Sequence, residues 1–415
     1  MTKMTVTPVL GLLMAWLVLV LGCSSAESEP APELDSAWAE YQQILDHTRI
    51  RLQESGYYET DVLQAEAFRY LSGLIALQNQ SHLHFGDVAR PFFTRSVAIG
   101  NKWGFSNPDN LYLSAKVVGG VTYRVTGRLG SANQTTIGSY AGDTEDARAG
   151  KRFRGEDLKV GPNGEFELIL GGEPQPGNWL PLDPEATSIA IYQIFADWDH
   201  EKKGEFRIEQ VGQEGLAPPP HTPEDVARQL VATAKNVRHY VDSWLKISDK
   251  LSWTPANTLA PPREIQIASL GAWFVAGRYE VEDGEALVIE VQAPAEARYW
   301  GWTLYNPWSE TLDYANRQTS LNFRQAHIDP DGHIRVVLSG EDPGVANWID
   351  TAGHPDGFLA WRVTSEVGPD RPKGRVVDLA ELRSELPETT RWVSPEERRD
   401  IIRRRQHHVA SRYAD

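Results

Sequence analysis

Apolar residues first recur along the chain at helical spacing. Trp38, Tyr41, Leu45 and Leu52 share one face of a segment that Asp35 or Ser36 can cap and Gly56 ends. Phe68, Leu71, Leu74, Ile75 and Leu77 repeat that period from about Asp61. Glu66 and Arg69 read as an exposed ion pair beside a packing Tyr70, with a site element as the other reading. From Asn110 the period shortens to two. Tyr112 to Val118, Tyr123 to Leu129, Glu165 to Leu170, Thr187 to Ala196 and Glu205 to Val211 are predicted strands, with Asn163-Gly164 and Lys203-Gly204 as turns. Pro218-Pro219-Pro220 closes this half. Thr222-Pro223-Glu224-Asp225 then opens a helix with Val226, Leu230, Ala234, Val237, Val241 and Leu245 on one face. A linker from Pro255 to Pro262 leads to a second β region, Ala272 to Val363, with a hairpin signal at Asp283-Gly284. Ser394-Pro395-Glu396-Glu397 caps a last helix. Its Arg403, Arg404 and Arg405 read as a solvated face matched to the helix dipole, and His407-His408 as solvated too.

The expected architecture is mainly β with flanking helices (α+β), built on two related sandwich or jelly-roll-like domains. It divides into a signal peptide (1–22), a tether (23–34), a helical segment (35–106), a first β domain (107–217), a connecting helix and linker (218–262), a second β domain (263–366) and a C-terminal segment with the terminal helix (367–415).

The two β regions share text. Pro162 to Glu173 aligns with Pro330 to Glu341 at an offset of 168, and one inserted residue brings Asn178-Trp179 onto Asn347-Trp348. Beyond that, Ile189 meets Phe358 and Tyr192 meets Trp361. Turn, strand, Gly/Pro loop, Asn-Trp and buried strand come in one order in both copies, the mark of an internal duplication. It predicts Trp179 and Trp348 as equivalent, largely buried plugs.

The N-terminus changes the picture of where the chain works. Lys3, an apolar run from Val9 to Leu21 and Gly22-Cys23 form a secretory-signal pattern. Leu21-Gly22-Cys23 resembles a bacterial lipobox. The apolar run is shorter than the about 20 residues that span a bilayer. Cys23 is therefore the expected lipidation site, with a polar, Pro-rich tether behind it. Ser24 in place of an acid points to the periplasmic face of an outer membrane. Cys23 is also the sole cysteine, which leaves the mature fold no disulfide and no thiol chemistry. Loss of Lys3 makes the formal charge one unit more negative than −16, so nucleic acid is not an expected partner.

Trp302 to Trp308, Leu312 to Arg317 and Glu341 to His354 resemble an uncharacterised bacterial family. It carries the domain of unknown function numbered twelve-fourteen, often paired with one numbered twelve-fifty-four. Asn107 to Tyr112, Phe195 to Asp199 and Ser394 to Arg398 are similar to it as well. The resemblance spans about residues 60 to 410. It implies a two-domain, β-rich fold and brings no activity and no catalytic residues.

Chemistry-bearing residues concentrate in the second copy. His354 and Asp342 are additions that the first copy lacks, and with Asp313 they are the candidate acid–base residues. Arg317, Asn316, Tyr305, Trp308 and Asp350 are the candidate binding residues, since Arg beside aromatic faces suits carboxylate or sugar recognition. His354, Asp342, Asp313 and Arg317 are expected to converge on one cleft, against a reading in which these groups pin loops. The chain has 14 Trp against 3 Met, and Trp and Tyr are platforms for sugar rings. Asp197-Trp198-Asp199-His200-Glu201 reads as a hairpin tip. No G-x-S-x-G, P-loop, Rossmann fingerprint or H-E-x-x-H is present. The functional expectation is an envelope lipoprotein that binds a neutral saccharide or similar polar small molecule. If it is an enzyme, it is a hydrolase or lyase on a glycan, with no metal and no cofactor. A non-catalytic periplasmic scaffold is the alternative.

Overall fold

The computed structural model describes residues 33–142, 147–265 and 271–414. Cys23, the expected lipidation site, lies outside them. Two helices come first, α1 (Leu34–Gln53) and α2 (Asp61–Gln78), the second running straight into a π-helical turn, Asn79–His84. Thr60 caps α2 by accepting from the Leu63 N–H.

The first β domain follows: β1 (Thr94–Val97), β2 (Asn110–Lys116), β3 (Tyr123–Arg128), β4 (Gln134–Ala141), β5 (Arg148–Arg154), β6 (Glu165–Leu170), β7 (Trp179–Leu180), β8 (Ala186–Ile194) and β9 (Glu205–Gln210). The long helix α3 (Pro223–Ser252) starts at Thr222 and Pro223 as its sequence directs. The second domain holds β10 (Thr258–Leu259), β11 (Arg263–Glu264), β12 (Ala272–Glu280), β13 (Glu285–Gln292), β14 (Tyr299–Tyr305), β15 (Ser320–Asn322), β16 (His333–Ser339), β17 (Trp348–Asp350), β18 (Asp356–Thr364) and β19 (Lys373–Asp378). A short α4 (Leu382–Glu385) and the terminal α5 (Pro395–Tyr413) finish the chain.

The fold is mainly β, and it is duplicated. One sheet of the first domain runs β1-β2-β8-β4-β5, and its counterpart in the second runs β10-β12-β18-β14-β15 with β11 also on β12. The other pair runs β7-β6-β3-β9 and β17-β16-β13-β19. In these last two sheets the first-named edge strand, β7 or β17, lies parallel to its neighbour. Side chains from the two sheets of each domain meet in a closed core. Ile137, Ile189, Ile191, Leu168 and Tyr123 fill the first core. Trp302, Trp361, Leu287, Ile289 and Val336 fill the second, where the Trp302 and Trp361 rings stack at 5.2 Å.

The Asn-Trp pair does one job twice. Asn178 Nδ2 donates to the Glu167 and Lys159 carbonyls, and its Oδ1 accepts from the Lys159 N–H. Asn347 does the same with Arg335 and His327. Trp179 Nε1 donates to Gly171 O and Trp348 Nε1 to Ser339 O. Trp348 is buried, whereas Trp179 is only half-buried, because among the described residues nothing packs on the first copy's loop as the C-terminal segment does on the second.

In β8 and β18 the two copies are offset by one residue more than at the Asn-Trp pair. Ile191 sits opposite Leu113 and Ile137 in the first core, and Trp361 sits opposite Val275 and Trp302 in the second. The counterpart of Trp361 is thus Ile191, not Tyr192, which matches Arg362. A one-residue slip exchanges the two faces of a strand.

Helix α3 bridges the domains. Its first half packs on α1 through Ala227, Leu230, Val231 and Ala234. Further on, Val237, Val241 and Leu245 meet α2 and Trp308, which the second domain inserts among the helices. Helix α5 closes the joint from the other side. There Asp109, 3% exposed, accepts from Tyr299 Oη (2.5 Å), Trp198 Nε1 (2.8 Å) and Asn322 Nδ2 (2.9 Å), so one carboxyl ties both domains. Burial pushes its pKa up, and those donors oppose the push. His408 stacks on Trp198 at 4.8 Å, and Arg405 and Arg412 lie over the same indole. His408 and Arg405 are buried rather than solvated; burial lowers the His408 pKa to about 3 and that of Arg405 to about 10. The segment around Trp198 is a turn between sheets packed beneath α5, not a hairpin tip.

Candidate functional site

The acid and base candidates of the second domain are spent on separate ties. Asp342 accepts from Arg398 Nε at 2.8 Å and so anchors α5. Asp313 is exposed and holds a local turn through the Asn316 N–H and Nδ2. Asn316 Oδ1 in turn accepts from Gln406 on α5. Arg317 pairs with the buried Asp350 at 2.9 Å, not with Asp313. His354 reaches across to α2, where its Nε2 lies 3.1 Å from Glu66 Oε2. The expected convergence of His354, Asp342, Asp313 and Arg317 therefore gives way to four ties with different partners. Tyr305 and Trp308 are interior, at 0% and 1% exposure, and offer no face to a sugar. Tyr305 Oη donates to Ser106 O and Trp308 Nε1 to Leu63 O.

Glu66 is accordingly no exposed partner of Arg69. It accepts from Asn306 Nδ2 at 2.9 Å, which also donates to Glu310 Oε2 at 3.0 Å. Burial lifts the Glu310 carboxyl from 4.5 to about 7, with Lys102 and Asn306 pulling the other way and Glu66 adding to the rise. Burial alone would lower the His354 pKa, but the Glu66 carboxylate overrides it and the net shift is upward. The other ring nitrogen faces Thr351 O at 3.1 Å. Both neighbours are acceptors, so the ring satisfies both only as imidazolium. This buried network joins α2 to the second domain.

An open space lies elsewhere, over the outward face of the first domain's β1-β2-β8-β4-β5 sheet. Strand β2 alternates: Leu113 and Ala115 enter the sandwich core, while Ser114 and Lys116 point the other way. Thr94 and Ser96 from the β1 region and Ser188 from β8 extend that hydroxyl-rich floor. Helices α2 and α3 and the π-helical turn roof it with Gln78, His82, Asn236 and Tyr240, and Trp103, Phe85 and Phe92 form apolar walls. Its volume is about 350 Å3, within the roughly 300–1,000 Å3 of small-molecule sites.

Two buried polar atoms in this roof lack hydrogen-bond partners, Gln78 Oε1 and His82 Nδ1. Asn236 Nδ2 donates to Ala232 O at 2.9 Å and faces His82 Nε2 at 3.2 Å, which makes Nε2 the acceptor. The proton of a neutral ring then sits on Nδ1, near the Gln78 carbonyl but outside hydrogen-bond geometry. Burial, helped by Lys116, lowers the His82 pKa to about 4 and keeps that ring neutral. Such groups cost free energy unless something satisfies them. Both atoms are shut off from solvent, so they lie behind the cavity's surface, which the floor hydroxyls, Asn236 and the aromatic walls supply. Sequence reasoning missed it because the polar face of β2 reads as solvent-facing until helices cover it.

The same face of the second domain is filled. Phe274, Phe358, Ala360 and Tyr305 pack there against Phe105 and against Trp244, Ile247 and Leu251 of α3. By ladder position Phe358 stands where the first copy has Ser188, and Phe274 where it has Tyr112.

Residues 280–365 match the family described as "Protein of unknown function (DUF1214)". That stretch is most of the second β domain, and no activity comes with it. The chain is similar in structure to an uncharacterised protein from Burkholderia cenocepacia, with a TM-score of 0.79 and 29% identity over 84% of this chain and 98% of that one. A second similar structure is the VPA0106 protein from Vibrio parahaemolyticus, at TM-score 0.44 and 12% identity, over 75% of this chain and 98% of that one. No curated protein matches the chain.

Proposed function

We propose that this chain is a lipid-anchored envelope protein that binds a polar small molecule, a neutral saccharide or a compound of similar size. Its site is the cavity between α2, α3 and the first β domain. The observation that carries the reading is a space of about 350 Å3 floored by Thr94, Ser96, Ser114 and Ser188 and walled by Trp103, Phe85 and Phe92. Aromatic walls and a few placed polar groups are what a sugar-sized ligand requires. The described lining is mostly hydroxyls, amides and aromatic rings, the groups of a binding site. In the second domain the ties made by Asp342, Arg317 and His354 favour a scaffold role, which makes one copy the site and the other its support.

The address rests on the signal-like run ending at Cys23. A Cys23→Ser form is expected to leave the membrane fraction or stay uncleaved. Wild type without an acyl mass would remove the anchor from the proposal. For the ligand, the lipid-free protein is screened by thermal shift against glycans and metabolites. A hit is expected to lose binding at least tenfold in His82→Ala and in Ser188→Phe. A hit that both variants bind as well as wild type does would move the site elsewhere.

A further inference from the structure

The duplication supplies a template for an open groove on the first domain. In the second domain, residues Gly344–Ala346 pair with a strand-like stretch of the C-terminal segment. Ala346 N donates to Arg391 O (2.9 Å), Val393 N donates to Gly344 O (2.7 Å), and Val345 stands opposite Trp392. Trp392 joins Leu382 and Leu386 in covering Val288, Val337 and Val345. What remains beside Asn347 is a space of about 10 Å3, bounded by His327, Arg335, Leu386 and Arg391.

At the corresponding place in the first domain there is a groove of about 390 Å3. Lys159, Glu167, Gly177 and Asn178 line it in the positions of His327, Arg335, Ala346 and Asn347. Its edge, residues 172–177, is exposed. The groups that make the pairing in the second copy have counterparts here, Gly177 N for Ala346 N and Gln175 O for Gly344 O. Pro176 replaces Val345, whose N–H takes no part in that pairing, so the proline costs the edge nothing. On the floor Ile169 takes the place of Val337.

We infer that this groove receives an extended segment of another protein by strand addition, with one apolar or aromatic side chain lying on Pro176 and Ile169 as Trp392 lies on its own site. A second copy of this chain is not the donor. Its 391–393 stretch is held in place by its own ladder, by Arg383 over the Trp392 ring at 4.5 Å, and by the Ser394 cap of α5 that follows at once. The surface is separate from the cavity roofed by α2 and α3.

The probe is a labelled synthetic peptide with the sequence of residues 387–393, titrated into the full lipid-free protein. Saturable binding is expected. It should weaken at least tenfold when the peptide's Trp is replaced by Ala, or when its Val nitrogen is methylated and cannot donate to Gln175 O. Ile169→Glu in the protein should weaken it likewise with an unchanged circular dichroism spectrum. A photo-crosslinker at Gln175 should capture the peptide. No saturable binding at millimolar peptide overturns the proposal. So does binding that ignores N-methylation and Ile169→Glu, or capture that fails at Gln175.

Discussion

The outward faces of the two domains' larger sheets differ more than their cores do. Both lie under α3. In the second copy Phe274, Phe358 and Tyr305 fill the face, and Arg362 lies over the Phe274 and Tyr305 rings at 4.8 and 5.6 Å. In the first copy hydroxyls and amides face α3 across a cavity. Duplication kept the strand order and the Asn-Trp brace while the covered faces diverged. A sandwich core needs apolar residues on one face of each strand only, so the other face is free to become either a seam or a site.

The comparison breaks hardest at Phe358. Phe358→Ser gives the second copy the first copy's residue at that position. It should cost about 4 kcal/mol, the size of a large-to-small core substitution, read as a lower denaturation midpoint. A loss under about 1 kcal/mol would mean that the seam does not carry the joint. Next comes the Glu310 network, which ties the second domain to α2. The folded chain keeps the Glu310 proton to about pH 7 against an ordinary 4.5. The folded state therefore holds more protons across that window, and this group's contribution to stability falls as pH rises through it. Glu310→Gln should match wild type near pH 4.5 and exceed it at pH 8 by roughly 3 kcal/mol. Equal melting temperatures at both pH values would refute the assignment.

Asn178→Ala and Asn347→Ala test the shared brace. Each removes three hydrogen bonds and leaves backbone groups unpaired, so each should cost roughly 1–3 kcal/mol. A loss in only one of the two variants would show that the brace is shared in geometry but not in energy. The smallest effect is expected from Ser188→Phe, which fills the cavity as Phe358 fills the seam. Stability should move by less than about 1 kcal/mol while ligand binding disappears. A large destabilisation there would show that the cavity cannot accept a ring.

Much of the scaffold was legible in the chain. Thr222-Pro223 and Ser394-Pro395 marked helix starts because their capping is local chemistry. Asn178-Trp179 and Asn347-Trp348 revealed the repeat because one local brace needs one local sequence. The site was not legible. His354 and Asp342 stood out by type and spacing, yet their partners, Glu66 and Arg398, lie 288 and 56 residues away. The cavity was hidden for the same reason. Ser114, Lys116 and Ser188 look like a solvated strand face, and only α2 and α3 turn that face inward. His408 and Arg405 looked solvated because their burial depends on Trp198, some two hundred residues earlier.

That last contact has a consequence for the order of assembly. Arg412 donates to Pro108 O, and His408 stacks on Trp198, so α5 completes the first domain's side of the Asp109 joint. Helix α5 thus belongs to both β domains at once. A growing polypeptide that had already emitted both sandwiches would still present an uncovered indole at its waist. Folding of the whole has to wait for α5, which follows both sandwiches in the chain.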